Sequence, residues 1–219
     1  MSNYEYIISS LPYLTPGSRY APGRDFSSTI EEIRRDLSEK DSALLDFLLE
    51  GFDPEKLGED FYCKALRHRN RFIREYFRFD LNLRNAKVRF LNASLGRGPE
   101  EDVITGEAGP DGDFITDSLD IDLRRFNGGE FEERDRLADI LAGEDLLERE
   151  KQLDEIVWDK INRLTVFNYF DIEAVLGYVA KLHIADRWLV LDEQTGREKF
   201  AQLVKEVKGT FKEINRNSI

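Results

Sequence analysis

Apolar residues recur along most of this chain at intervals of three, four and seven, the spacing of an amphipathic helix, and only briefly at the interval of two that marks a strand. The brief exception is the start, where Tyr4-Glu5-Tyr6-Ile7-Ile8 alternates aromatic and polar side chains and predicts a short extended segment. Pro12, Pro16, Gly17, Pro22 and Gly23 then forbid regular structure. Ser28 with Glu31 three residues on has the form of a capping box, and Ile30, Ile33 and Leu37 follow on one helical face. A second helix is predicted from Ser38 or Asp41 through Leu44, Leu45, Leu48 and Leu49 to Gly51, just ahead of Asp53-Pro54. The first quarter therefore reads as a helical hairpin. From Lys64 to Leu95 the positions Leu66, Ile73, Phe77, Leu81, Val88, Leu91 and Leu95 fall on one face, which predicts a single long amphipathic helix with a basic exterior.

Gly96-Arg97-Gly98-Pro99 ends that helix, and residues 100–129 are acidic, contain glycine and lack sustained periodicity, which predicts a mobile loop. Helical spacing returns at Phe131, Leu137, Ile140 and Leu141, and again at Leu146, Leu147, Leu153, Ile156 and Val157. Beyond Trp158 the chain becomes more aromatic and apolar. Asp171 is placed to cap a helix whose Ile172, Val175, Leu176, Val179, Leu182 and Leu189 share a face. Thr195 with Glu198 forms another capping box before Phe200, Leu203, Val204 and Val207. The expected fold is mainly α, an elongated multi-helix bundle with a short N-terminal extended segment. One structural domain is expected, made of residues 1–98, an acidic loop at 99–129 and a C-terminal helical part at 130–219.

Composition narrows the picture. At 219 residues the chain can bury a core without disulfide or metal, and 41% apolar against 35% charged residues suits slender helical layers. The single Cys63, the absence of a membrane-length apolar run and of a basic-plus-apolar leader at Met1 make the cytoplasm the expected compartment, with no direct membrane insertion. A net charge of −12 argues against nucleic acid as a general partner. The charge is unevenly spread: residues 59–98 carry ten Lys/Arg against four Asp/Glu, a net of +6, and residues 99–159 carry six against twenty-one, a net of −15. Such halves attract each other or sort partners.

The search for chemistry yields little. His68 and His183 lie far apart and lack short-range metal-ligand partners, and Cys63 would be a nucleophile only if the fold brought a base to it. The run Asp111, Asp113, Asp117, Asp120, Asp122 invites a calcium reading, but Ile115 and Thr116 stand where an EF-hand needs a ligand and a glycine, so a solvated acidic loop fits better. Gly106, Gly109 and Gly112 complete no phosphate-binding loop. No catalytic residue, cofactor or metal is therefore expected. The strongest unusual feature is the series Arg67, Arg69, Arg71, Arg74, Arg78, Arg84, Lys87 and Arg89, interleaved with Phe72, Tyr76 and Phe79. On one helix Arg67, Arg71, Arg74 and Arg78 would form a side, spaced by four, three and four, and a face for an acidic partner. The alternative for the same arginines is a solvated face paired with the chain's own acidic loop; RNA is a lesser one.

Two segments carry a resemblance. Thr165-Val166-Phe167-Asn168-Tyr169-Phe170, Asp171-Ile172-Glu173-Ala174-Val175-Leu176, Asp186-Arg187-Trp188-Leu189 and Asp192-Glu193-Gln194-Thr195-Gly196 resemble a small uncharacterised bacterial family encoded beside V-type ATPase subunits, as does the start from Tyr4 to Leu14. Tyr76-Phe77-Arg78-Phe79-Asp80-Leu81-Asn82-Leu83-Arg84-Asn85 is similar to the Asp- and Asn-bearing helix of the rotary-ATPase C/d subunit, with Leu83 at the position of its usual Asn. That subunit is an α-helical cap between the membrane rotor ring and the central shaft. The resemblance implies a non-catalytic accessory or central-stalk subunit, partnered by V-type ATPase shaft and membrane-ring subunits and peripheral to the inner membrane through them. A free-standing helical adaptor for an acidic protein, and a hydrolase using Cys63 or the acidic cluster, are the competing expectations.

Overall fold

The computed structural model describes residues 3–16, 18, 24–98, 101–104 and 134–190. Among these residues there are eight α-helices and no strand: α1 (Tyr4–Ser10), α2 (Phe26–Asp36), α3 (Glu39–Glu50), α4 (Glu59–Leu66), α5 (Arg71–Leu95), α6 (Arg134–Ala142), α7 (Leu146–Thr165) and α8 (Ile172–Val190). The fold is mainly α, as the periodicity requires. Most helix N-termini are set by short polar side chains that satisfy orphan backbone N–H groups. Ser38 accepts from Asp41, Asp145 accepts from Leu147 and Glu148, and Asp171 accepts from Ala174 at 2.9 Å. At the far end of α5, Gly96 takes φ 67°, a left-handed conformation suited to glycine.

α8 is the central helix, packed against α1, α2, α3, α5 and α7. Its Val175, Leu176, Val179, Ala180, Leu182, Ile184 and Ala185 are all buried, so it is apolar almost all round, as a helix enclosed on several sides must be. Where α7 ends against it, a Cβ at Gly177 would stand only 2.6 Å from Cγ2 of Thr165, so the absence of a side chain there permits the close approach. The main core runs from Ile7 to Ile184 and includes an aromatic knot: Phe47 stacks on Phe61 with centroids 5.1 Å apart, and Phe77 meets Phe61 edge-on at 4.9 Å. A smaller cluster gathers Phe79, Leu83 and Ala86 of α5 with Leu137, Ile140, Leu141, Leu153 and Ile156, and Val157 packs against both clusters. Buried polar contacts tie helices together across these cores. Tyr62 donates to Asp80 at 2.6 Å, joining α4 to α5, and Asp154 pairs with Arg187 and accepts from Trp188 at 2.7 Å, joining α7 to α8.

Several expectations are corrected. The N-terminal segment is helical, not extended: Asn3 caps it by accepting from Tyr6, Ile7 is buried, and Tyr4, Ile8 and Leu11 pack on the core beside it. Those apolar positions have helical spacing, and a three-residue alternation is too short to outweigh it. The box at α2 uses Asp25 and Ser28, one turn earlier than Ser28 and Glu31. The long basic helix is two helices, because Asn70 is extended (φ −69°, ψ 128°) and accepts from Ile73, so it restarts the helix as an N-cap. On α5 the expected apolar face fades towards the end: Leu91 and Leu95 are exposed, while Phe79, Leu83 and Ala86, which were not assigned to that face, are buried. Beyond Gly96 the chain folds back, with Asn85 both donating to and accepting from the Ile104 backbone (3.0 and 3.1 Å) and Asn92 donating to the Glu101 carbonyl at 2.6 Å. The rest of the expected acidic loop, and the Thr195 capping box with Phe200, Leu203, Val204 and Val207, lie outside the described residues.

Candidate docking surface

The connection between α7 and α8 is short, and hydrogen bonds fix it from within. The Asn168 backbone donates to Thr165 at 2.9 Å, and the Asn168 amide donates to Asp171 at 2.6 Å while Asp171 caps α8. From outside, Nη2 of Arg71 reaches the Leu164 carbonyl (2.8 Å), the Asn168 side-chain oxygen (3.0 Å) and Glu173 (2.6 Å). A guanidinium suits this place because its planar fork serves a carboxylate and neighbouring carbonyls together. The turn held in this way presents its apolar side chains outward. Phe167 is 88% exposed, Tyr169 69%, Phe170 54% and Val166 53%. Tyr169 also lines a shallow groove with Tyr13, Leu14, Gly177 and Lys181, and Tyr13 is itself almost wholly exposed.

Four large apolar side chains in five consecutive positions, on a turn that cannot easily fold them away, are costly to leave in water and typical of protein contact surfaces. The aromatic ones bring large rigid area at little cost in conformational entropy. Arg71 is the first residue of α5, so the α4–α5 turn, with exposed Arg67 and Arg69, lies beside this aromatic turn. Basic and aromatic groups therefore share one end of the helical array.

The four arginines singled out from sequence are only partly brought together. Arg67 is the C-cap of α4, outside α5, so the four-three-four series is broken by the turn. Arg71, Arg74 and Arg78 do share α5, but all three serve the chain's own groups. Arg74 donates to the His68 carbonyl at 3.0 Å and to Glu75 at 3.3 Å, and Arg78 binds Glu75 at 3.1 Å. Their described acidic partners are thus Glu75 and Glu173, not the acidic segment, most of which falls outside the described residues. The aromatic turn is visible in the sequence as part of the aromatic and apolar stretch beyond Trp158, without its exposure being marked. The available signal was its position: consecutive apolar residues beside Asn168 and Asp171, between two helices, have no period that would turn them inward.

The other chemical candidates sit among aromatic side chains. His183 stacks on Phe52 with centroids 4.1 Å apart and meets Phe26 edge-on; burial, helped by the Arg187 charge, holds its pKa down at about 4. His68 packs on Phe47, and its Nδ1 accepts from the Asn70 backbone at 3.0 Å; burial, then the Arg74 charge, lowers its pKa. Cys63 is half-buried against the main core. Of the residues in the second resemblance, Asp80 and Asn85 are engaged inside the chain, on Tyr62 and Ile104. Among the described residues no group of three or more His, Cys, Asp or Glu side chains is placed to hold a metal, and no helix is long and apolar enough to cross a membrane. The acidic run from Asp111 to Asp122 lies outside the described residues.

These features define a mainly α-helical protein with a fixed aromatic turn on its surface. Residues 53–211 match the family described as proteins of unknown function, DUF2764, and the chain belongs to that family. The matched stretch contains α4 to α8 and both turns of the candidate surface. No curated protein and no solved structure matches the chain.

Proposed function

We propose that this protein is a non-catalytic subunit of a larger protein assembly and docks there through the aromatic turn at Val166–Phe170. The observation that carries this reading is the combination of exposure and rigidity. The backbone that carries the side chains a partner would bury is already held in place, so binding loses little backbone conformational entropy. Arg67 and Arg69 beside the turn favour a partner whose matching surface is acidic around an apolar recess. The resemblance supplies the assembly: a bacterial V-type ATPase, in which the chain serves as an accessory or central-stalk subunit joining the shaft to the membrane rotor ring. Such a role needs stiff helices and charged docking surfaces.

Affinity purification of the tagged chain from its native host tests both parts of the proposal. The expected result is co-purification of ATPase shaft subunits, lost when Phe167→Ser is combined with Tyr169→Ser. A complete V-type complex isolated without this chain would remove the ATPase assignment. Recovery of an unrelated acidic protein, still dependent on the two aromatic residues, would establish the free-standing adaptor reading in its place.

A further inference from the structure

Tyr169 connects the aromatic turn to a second surface. It forms one rim of a groove of about 370 Å³, whose floor is Ala174, Gly177 and Lys181 of α8 and whose opposite wall is Leu11, Tyr13 and Leu14 of the N-terminal segment. The floor residues are three and four apart, so they lie along one side of α8 and extend for about 10 Å, two helical turns. Ala174 and Gly177 keep this floor low between the exposed rings of Tyr13 and Tyr169. Tyrosine is among the side chains that carry the most binding energy at protein contacts. The charge in the groove has one sign. Lys181 lines it, and among the described residues no carboxylate does. Asp171 and Glu173 nearby are engaged by Asn168, the α8 backbone and Arg71. The Lys181 ammonium stands 5.5 Å from the centroid of the Trp158 ring and has no ion-pair partner among the described residues. Its side chain is half-buried, and desolvation holds its pKa below the ordinary lysine value. A half-buried ammonium without a counter-ion is costly, and a carboxylate brought by a partner would offset that cost. An added strand would need a row of free backbone N–H and C=O groups. Those of the floor are spent inside α8, and the wall includes Pro12, which has no N–H. Recognition here must run through side chains, as it does when a helix lies in a groove.

We infer that this groove receives an amphipathic helix of the partner protein, with apolar residues at intervals of three and four against Ala174 and Gly177 and an aspartate or glutamate on Lys181. The inference rests on the docking reading of the aromatic turn, and adds to it the secondary structure of the partner's element and the charge that element carries.

The photocrosslinking residue p-benzoylphenylalanine is placed in the full-length protein, in its native host, at Tyr13, at Tyr169 or, as a control outside the groove, at Tyr6, and the captured peptides are sequenced. Positions 13 and 169 are expected to capture the same segment of one partner, with apolar residues at helical spacing and at least one Asp or Glu, and position 6 is expected not to capture it. A synthetic peptide of that segment should gain helical circular dichroism on binding. Lys181→Met removes the charge and keeps the aliphatic stem, so the free variant should melt no lower than the parent, while its Kd for the peptide rises about tenfold, as for one lost charged hydrogen bond. Lys181→Arg should stay within about threefold of the parent. Capture from position 169 alone leaves the docking reading standing and overturns the groove inference; capture from neither position overturns both. Capture at position 13 of a second copy, or of another segment of this chain, overturns the inference, as does a captured segment without Asp or Glu or one that position 6 captures equally. It is overturned too if Lys181→Met binds the peptide as tightly as the parent, or melts far below it, which would show the ammonium serving its own fold.

Discussion

Two aromatic groupings of similar composition meet opposite fates in this protein. Phe47, Phe61 and Phe77 interlock inside, around Gly51, where an added Cβ would come within 2.2 Å of the Phe77 ring. Phe167, Tyr169 and Phe170 stand outside on the α7–α8 turn. Hydrophobicity does not separate the two groups; backbone does. Each inner phenylalanine sits on a helix whose period points it at a neighbouring helix, and Phe77 belongs to the repeating face of α5. The outer group is consecutive in sequence, on a turn held by Arg71, Asn168 and Asp171, and a turn of that kind has no inward side long enough for all of them. Inner aromatic groups therefore build stability, and outer ones are held at its expense.

The largest effect that should separate the groups is Phe77→Ala. This ring is fully buried and touches Phe47, Phe61 and Tyr76, so its loss should cost about 3–5 kcal/mol of unfolding free energy by transfer and cavity terms together. Denaturant unfolding measures it, and a cost below about 1 kcal/mol would mean that the knot is not packed as described.

His183 extends the inner group to a titratable ring, and its effect follows pH. Its pKa is about 4 in the fold against the ordinary histidine value of 6.5, so between those values the unfolded chain binds the extra proton. The stabilising contribution is whole above about pH 6.5 and is lost as pH falls from there towards 4, by up to roughly 3 kcal/mol. His183→Gln removes that titration. Urea midpoints between pH 7.5 and 5 should fall more steeply for the parent than for the variant, and parallel slopes would show that the ring is not held neutral by burial.

Arg71 links the two groups, because it starts the helix that carries Phe77 and clasps the turn that carries Phe167. Arg71→Glu would set a carboxylate beside Glu173 and remove the donors to Leu164 and Asn168. The side chain is about half exposed, so solvent screening limits the expected loss to about 1 kcal/mol. A drop in Tm of that order indicates an arginine working within its own fold. An unchanged Tm together with loss of a partner would return Arg71 to the outward role read from the sequence.

What the sequence made legible was whatever local spacing decides. Ser38 and Gly51 bound α3, Asp171 caps α8, and the apolar density after Trp158 marks the helix that becomes the centre of the core. Less legible were features decided between segments. Leu66 and Ile73 are seven apart, which continues a helix perfectly well, and nothing in that interval announces that Asn70 will restart the chain in a new direction. The same break removes Arg67 from the face of Arg71, Arg74 and Arg78. Likewise, the pairing of these arginines with Glu75 and Glu173 depends on side-chain reach and, for Glu173, on a contact across 102 positions. The aromatic turn was legible as a motif, but its exposure depends on how closely α7 and α8 meet, with Gly177 against Thr165.

The smallest expected change in stability is the most informative about the outer group. Phe167→Ser with Tyr169→Ser removes two rings that are 88% and 69% exposed, so little apolar surface returns to water on unfolding that was not already there. The turn's shape rests on Asn168, Asp171 and Arg71, none of which is altered. Tm should therefore stay within about 2 °C of the parent, and the unfolding free energy within about 0.5 kcal/mol, as for surface substitutions away from packed features. Solubility should rise, because an exposed aromatic patch promotes self-association. If the double variant instead unfolds more easily by several kcal/mol, the two rings are covered in the native protein. The division between an inner group that stabilises and an outer group kept for contact would then be wrong at its outer end.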